Sequence, residues 1–145
     1  MTLATRHARR ALLLSLLSLV LVAAPFAAFG SGPAFLVKDI DPGPEGSSPF
    51  QLVDLSGELR FHATDGRAGF ELWRSDATEA GTRLVADLNL GPADSTPVGL
   101  TAAGGDLYFV ADDGVTGREL WVLGSGGVRR VKDTRPGPEG MLDGG

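Results

Sequence analysis

Two glutamates recur beside tryptophans in this 145-residue chain. Glu71 and Glu119 each open a Glu-Leu-Trp run that ends in Trp73 or Trp121. Paired carboxylates catalyse glycoside hydrolysis, and exposed tryptophans stack on sugar rings. A catalytic pair is a single constellation rather than one copy per repeat. We therefore predict that the glutamates accept hydrogen bonds from turn N–H groups and that the tryptophans pack between units. The same turn-binding role is predicted for three further acids that recur, Asp39, Asp87 and Asp133.

The run "ELWRSDATEAGTRLV" contains side chains suited to a cation or a polar ligand. Asp76, Thr78 and Thr82 supply the oxygen atoms, and Gly81 permits a sharp turn. The equivalent loop of the second Glu-Leu-Trp run has shrunk to "GSGG". A site that disappears from the second copy is not required there, so we predict that these side chains cap nearby backbone N–H groups.

Two Asp-Gly turns suggest calcium as an alternative. Calcium takes six or more oxygen ligands, and its known loops place acidic residues at alternate positions. Neither Asp65-Gly66 nor Asp112-Asp113-Gly114 has that spacing. We predict no metal site or cofactor, and calcium bound by several turns together is kept as the alternative.

Catalysis by histidine or cysteine is disfavoured by the composition. The chain has no cysteine, and His62 is the only histidine after residue 30. Val110 takes its place in the second copy, so the histidine has no repeated role. Neither a histidine-rich metal cluster nor a Ser-His-Asp triad is available. We assign no catalytic residue and predict that the protein is not an enzyme.

The elements that carry these residues repeat along the chain. Residues 36–73 align without a gap on residues 84–121, and 18 of the 38 positions are identical. A third copy begins at "RVKDTRPGPEG", residues 130–140. Similarity at a fixed period is typical of repeat architectures. We divide the repeat region, 31–145, into a first unit at 36–83, a second at 84–129 and the start of a third at 130–145.

Each unit reads as four short strands. The predicted strands of the first unit are Phe35–Ile40, Phe50–Leu55, Glu58–Thr64 and Phe70–Ser75. Glu58–Thr64 and its counterpart Asp106–Asp112 alternate apolar and polar residues, as strands with one buried side do. We predict an all-β fold of tandem four-stranded antiparallel units that resemble β-propeller blades. A β-solenoid and a β-sandwich are the alternatives. Two units do not close a ring, so we expect the third unit to be truncated and the chain to be a piece of a longer repeat protein, with completion of the ring by further copies as the alternative.

The first 30 residues are typical of a secretory signal peptide. Basic residues at the start are followed by an uncharged run, 11–24, and by small residues that end at Gly30. We predict a signal helix that is cleaved after Gly30, with an uncleaved membrane anchor as the alternative. The expected location is therefore secreted or at the cell surface, with no membrane span after cleavage.

The charge of the remaining chain argues against nucleic acid as a partner. The whole chain has 13 basic and 18 acidic residues, a net charge of −5. Residues 1–30 hold three of the basic residues and no acidic one, so their removal leaves a net charge of −8. Nucleic acid and anionic lipid both require a positive field.

The runs "ELWRSDATEAGTRLVADLNLGPADSTP" and "GGDLYFVADDGVTGRELW" resemble the ELWxxDGT repeat, which occurs in tandem in large exported and surface proteins of bacteria. The resemblance covers residues 34–140 and implies a propeller-like structural module without an agreed activity. Ala77 stands where the family has glycine, and the second unit has lost the Asp and Thr of the signature. We expect an exported structural or interaction module that presents loops to a protein or glycan partner. The alternatives are a calcium-stabilised adhesion module and a non-catalytic fragment of a larger propeller-containing enzyme. Open sheet edges also favour self-association.

Overall fold

The structure, a computed structural model, describes residues 33–137. The predicted signal helix, 1–30, and the last residues of the predicted third unit lie outside the described residues. Within the described range every regular element is a strand, and none of its residues forms a helix long and apolar enough to cross a membrane. The all-β prediction is confirmed.

Eight strands form two antiparallel sheets of four, each with its strands in chain order. The first sheet consists of β1 (Phe50–Leu55), β2 (Glu58–Thr64), β3 (Phe70–Ser75) and β4 (Arg83–Ala86). The second sheet consists of β5 (Val98–Ala103), β6 (Asp106–Asp112), β7 (Arg118–Gly124) and β8 (Gly127–Lys132). Both sheets lie in one compact unit that begins at Phe35. The prediction of four-stranded antiparallel units is therefore confirmed.

The predicted first strand, Phe35–Ile40, is wrong, because this segment forms no strand. Its counterparts Arg83–Ala86 and Gly127–Lys132 are the last strands of the two sheets, paired with β3 and β7. A strand needs a neighbour for its ladder hydrogen bonds, and no described strand precedes Phe35. The segment instead packs against the first sheet, where Ile40 contacts a buried cluster. Each sheet is thus offset by one strand from the unit read in the sequence.

Strand register gives the two sheets matching faces. In the first sheet Phe61 pairs with Trp73, and in the second Phe109 pairs with Trp121. We call the face that carries this pair the leading face and the opposite face the trailing face. Leu72 lies on the trailing face of the first sheet, because its partner in β2 is His62.

The main core lies between the two sheets. Leu55 and Leu72, from the trailing face of the first sheet, share one buried cluster with Leu107, Phe109 and Trp121, from the leading face of the second. A smaller cluster on the leading face of the first sheet contains Phe61, Ala63 and Trp73. The sheets therefore stack with the leading face of one against the trailing face of the one before it.

Tight turns join β1 to β2 and β5 to β6, as the glycine positions predict. Ser56 and Gly57 have φ values of 57° and 84°, and Gly104 and Gly105 have φ values of 62° and 88°. Two successive positive φ values are the signature of the type I′ hairpin turn, whose twist matches that of the flanking strands. These two turns place the strands of each hairpin in the same register.

Candidate functional site

Antiparallel order collects the longer connections at one end of the sheets. We call this the loop end; its members are residues 41–49, 65–69, 87–97, 113–117 and 133–137. The opposite turn end holds residues 56–57, 76–82, 104–105 and 125–126. The loop end is the candidate interaction surface, because most of the repeated acidic residues singled out in the sequence lie in it or beside it.

Aspartate side chains fold the β2–β3 and β6–β7 loops. Asp65 Oδ1 accepts hydrogen bonds from the amides of Arg67 and Ala68, both at 2.9 Å. Asp113 Oδ1 accepts from the amides of Val115 and Thr116 at 3.0 and 2.7 Å. These contacts are the local turn chemistry of aspartate. Both Asp-Gly pairs therefore serve as turns.

The charge state of Asp113 is stabilised by the same contacts. Burial acts to raise the pKa of its carboxyl, but the hydrogen bonds from Thr116 and Val115 lower that pKa overall, below the ordinary value of 3.8. Arg130 also lies 3.8 Å from Asp113 Oδ2. The carboxylate is thus ionised at neutral pH and is engaged both by its own loop and by Arg130 of β8.

Glu71 fixes the long β4–β5 loop to the first sheet. The side chain is fully buried. Its Oε2 accepts from the Leu88 amide at 3.0 Å and from the Ser95 hydroxyl at 2.6 Å, and its Oε1 accepts from the Ser95 amide at 3.0 Å. Burial raises the pKa of Glu71 above its ordinary value of 4.5, and these hydrogen bonds oppose that rise. The prediction that Glu71 accepts turn N–H groups is confirmed.

Glu119, the counterpart of Glu71, has fewer contacts. It is also fully buried, and its Oε2 accepts from the Thr134 hydroxyl at 3.3 Å. Its Oε1 has no hydrogen-bond partner among the described residues. Glu71 and Glu119 thus occupy equivalent places in separate sheets, each directed at its own loop.

The repeated aspartates are only partly satisfied. Asp87 Oδ2 accepts from the Gly91 amide at 3.2 Å, in keeping with the predicted turn role. Asp133 Oδ2 lies 3.7 Å from Arg130 Nη1. In the part of the chain that the structure describes, the Oδ1 atoms of both aspartates are buried without a partner. Asp39 is exposed.

Equivalent backbone contacts hold successive loops against the sheets. The Thr64 amide donates to the Ser47 carbonyl at 3.1 Å, and the Asp112 amide donates to the Ser95 carbonyl at 3.0 Å. Residues 41–49 therefore dock on the first sheet as residues 87–97 dock on the second. Neither contact was predictable from the local sequence, because each joins positions 17 apart through the fold.

Loops of the two sheets also contact each other through residues 87–97. The Phe70 amide donates to Asp94 Oδ1 at 2.8 Å. Gly114, in the β6–β7 loop, has no room for a side chain because Asn89 Oδ1 would lie 2.4 Å from an added Cβ. The loop end is consequently one connected surface rather than a set of independent loops. Two apolar side chains project from it, Leu90 at 81% exposure and Val115 at 72%.

Asp76, Thr78 and Thr82 lie at the turn end, where they cap their own loop. Asp76 Oδ1 accepts from the amide and the hydroxyl of Thr78 at 2.9 and 2.6 Å, and these bonds lower the pKa of Asp76 below 3.8. Thr82 is buried, and its hydroxyl donates to the Thr78 carbonyl at 2.7 Å. The predicted capping role is confirmed.

Both tryptophans pack inside the protein. Trp73 is 5% exposed and Trp121 is 9% exposed, which leaves neither ring free to stack on a sugar. The Trp121 Nε1 group donates to the Ala111 carbonyl at 3.0 Å. Trp121 belongs to the cluster between the sheets, as the packing prediction requires.

His62 has a connecting role that the sequence did not reveal. Its Nδ1 lies 3.0 Å from the Pro97 carbonyl oxygen, just before β5. The rings of Phe50 and Phe70 lie on either side of it, each with a centroid distance of 5.5 Å. The histidine therefore joins the first sheet to the start of the second.

A mixed-charge cleft of ≈ 470 Å³ lies between the sheets at the turn end. Glu58, in its wall, pairs with Arg60 at 2.8 Å and with Arg74 at 2.7 Å. Both oxygens of Glu58 are thus engaged by arginines, and Asp106 of the second sheet lines the same cleft. Sequence reasoning missed this network, because arginines on a strand do not show which carboxylate they reach.

No group of three or more potential metal-ligating side chains occurs among residues 33–137. The chain was compared with protein-family models, curated proteins and solved structures, and none of the three comparisons found a match.

Proposed function

We propose that this chain is an exported structural or interaction module of β-propeller-like repeats, which presents its loop end to a protein or glycan partner. One observation carries the proposal. The connections at the loop end are locked to the sheets and to each other by side-chain and backbone hydrogen bonds. A preorganised surface loses little conformational entropy when a partner binds.

The sheets support the propeller-like part of the proposal. Each is a four-stranded antiparallel meander, and the second stacks on the first with the leading face against the trailing face. Blades of a propeller repeat one packing relationship around an axis. The resemblance to the ELWxxDGT repeat agrees with this arrangement and favours an exported or surface-bound protein.

The polar residues favour a structural role over catalysis. Glu71 is occupied by Leu88 and Ser95, and Asp76 by Thr78. An active site collects unpaired groups at one place and shifts their pKa values towards the working pH. The acids at the loop end are instead divided between two equivalent sheets, and burial accounts for the raised pKa of Glu71.

Export and partner binding are tested separately. The chain, expressed with its own N-terminus in a bacterial host, should appear outside the cytoplasm with Ser31 as its first residue. Retention in the cytoplasm with residues 1–30 intact would contradict export.

For binding, the labelled chain is applied to a panel of glycans and extracellular proteins. The paired change Leu90→Ser and Val115→Ser should weaken retention on the partner about tenfold or more, because apolar anchors dominate interface energetics. Leu52→Ser, which removes a leucine that is 58% exposed on a sheet face, is the control and should bind normally. Loop variants that bind as well as the unchanged chain would refute the proposal.

A calcium-stabilised adhesion module is the second candidate. It is favoured by the Oδ1 atoms of Asp87 and Asp133, which lie at equivalent places in the two sheets and are buried without a partner among residues 33–137, since calcium binds carboxylate oxygen. Calcium should raise the melting temperature of the chain, and the paired change Asp87→Asn and Asp133→Asn should remove the rise. An unchanged melting temperature would eliminate this candidate.

A further inference from the structure

Equivalent leucines on the two leading faces differ sharply in exposure. Leu100 is 8% exposed and Leu107 is fully buried, because the first sheet covers them. Their counterparts in the first sheet, Leu52 and Leu59, are 58% and 38% exposed. The leading face of the first sheet therefore has the side chains of a sheet-to-sheet interface without the covering sheet.

The exposed leading face is shaped as a groove. It has a volume of ≈ 360 Å³, and its lining is largely apolar. The apolar lining residues include Leu36, Val37, Ile40, Leu52, Leu59 and Phe61. At the equivalent place on the second sheet, Leu55 and Leu72 of the first sheet fill the space. The groove thus fits the trailing face of a sheet of this type.

The opposite side of the stack offers such a face. On the trailing face of the second sheet, Tyr108 pairs with Val122 and Val110 pairs with Leu120. Val122 is 2% exposed and the other three side chains are half-buried. Three of these positions are polar in the first sheet, where the counterparts of Tyr108, Val110 and Val122 are Arg60, His62 and Arg74. The outermost face of the described stack is accordingly more apolar than the face buried inside it. Val131 in β8 is the counterpart of Val85, which packs against the cluster between the sheets from the trailing face of the first sheet, and it is 42% exposed.

We infer that a second copy of this chain docks head to tail, with the trailing face of its second sheet seated in the groove on the leading face of the first. The contact continues the sheet-to-sheet packing that each chain already contains. It joins two different surfaces, so it is heterologous and leads to a ring or an open stack rather than a closed pair. The inference rests on the blade-like sheets of the proposed function but not on a loop-end partner.

Sedimentation of the full chain over a wide concentration range tests this. The unchanged protein should grow beyond a dimer as its concentration rises. Leu52→Asp blocks the groove and Val131→Asp blocks the trailing face, and each should weaken self-association about tenfold or more. Leu90→Asp, on the loop end, is the matched control and should assemble normally. Leu52→Ser replaces the aspartate variant if that variant does not fold by circular dichroism.

Mixing the two blocked variants supplies the decisive result. Each retains one intact surface, so an equimolar mixture should form a heterodimer and stop there. A wild-type chain that stays monomeric, variants that assemble like wild type, or a mixture that remains monomeric would each overturn the inference. If the chain assembled through its N-terminal apolar run or with a foreign protein, both blocked variants would assemble like wild type. Loss of loop-end binding alone would refute only the proposed function.

Discussion

The Glu71 carboxylate accepts two hydrogen bonds from Ser95, one from its amide at 3.0 Å and one from its hydroxyl at 2.6 Å. Twenty-four residues separate the two, so this contact closes the whole β4–β5 loop onto the first sheet. Both residues are fully buried. These donors offset part of the cost of burying the carboxylate.

Glu71→Gln should lower the free energy of unfolding by about 2 kcal/mol, because the amide group cannot accept at both oxygen positions and leaves a buried N–H unpaired. Glu119→Gln is the matched control in the second sheet. Its Oε1 has no described partner, so its loss should be less than about 1 kcal/mol. Urea unfolding of the three proteins provides the measurement, and equal losses would contradict the anchoring role of Glu71.

The stability of the protein should respond to the raised pKa of Glu71. The folded chain binds a proton at this carboxyl more tightly than the unfolded chain does, and this stabilises the folded state. The stabilisation is complete below the ordinary pKa of 4.5 and is lost as the pH rises through the folded pKa. As the pH falls from neutral to 4.5, the free energy of unfolding of the unchanged protein should therefore increase relative to that of Glu71→Gln. Parallel stability curves over this range would disprove the prediction.

The pH dependence of stability that arises from Asp113 should have the opposite sign to that from Glu71. The pKa of Asp113 is lowered, so its contribution is present above the ordinary value of pH 3.8 and is lost as the pH falls through the folded pKa. The stability cost of Asp113→Asn should shrink only below pH 3.8. A cost that shrinks already between neutral pH and 4.5 would show that the two carboxyls have been assigned the wrong signs.

Ala77→Gly should stabilise the protein. Ala77 has a φ of 66°, which costs an alanine about 1–2 kcal/mol, whereas the added freedom of glycine in the unfolded chain costs about 0.5–1 kcal/mol. The net gain should be up to about 1 kcal/mol in thermal unfolding. Ala80→Gly, in the same loop but without a positive φ, should destabilise instead. A loss at both positions would show that Ala77 is not strained.

Gly69→Ala should be the more damaging of two comparable glycine changes. Gly69 and Gly57 both have positive φ, but an added Cβ would lie 2.2 Å from the Ala93 carbonyl oxygen at Gly69 and would meet nothing within 4 Å at Gly57. We expect Gly57→Ala to cost about 1 kcal/mol through backbone strain and Gly69→Ala about 3 kcal/mol or more, since the loop must move. Denaturant unfolding of both variants gives the two losses of stability. Similar losses at Gly57 and Gly69 would show that the Ala93 carbonyl does not collide with a side chain at Gly69.

Much of the fold was predictable because the same pattern of apolar, polar and turn residues occurs in both units. Alternating residues in Glu58–Thr64 and Asp106–Asp112 predicted two strands with one buried side, and both strands formed. The prediction for Phe35–Ile40 failed for a physical reason. The segment has the composition of a strand, but a strand forms only beside another strand with which it can pair. Its counterparts β4 and β8 pair with β3 and β7, and no described strand takes that place beside Phe35–Ile40.

The candidate site was less predictable than the fold. The turn roles of Asp65 and Asp76 followed from residues within a few positions, which the sequence displays directly. The partners of Glu71 and His62 lie 17 to 35 residues away, and residue type alone does not choose among distant donors.

The sequence by itself determined the all-β class, the doubled unit and the local turns, because alternation and turn chemistry act over a few neighbouring residues. Tertiary structure decided the rest: the one-strand offset of each sheet, the connected loop end, and the exposure of Leu59 where Leu107 is buried. These features depend on which surfaces contact each other. Leu59 and Leu107 occupy equivalent positions in the two units, and their exposure differs only because the first sheet packs on the second.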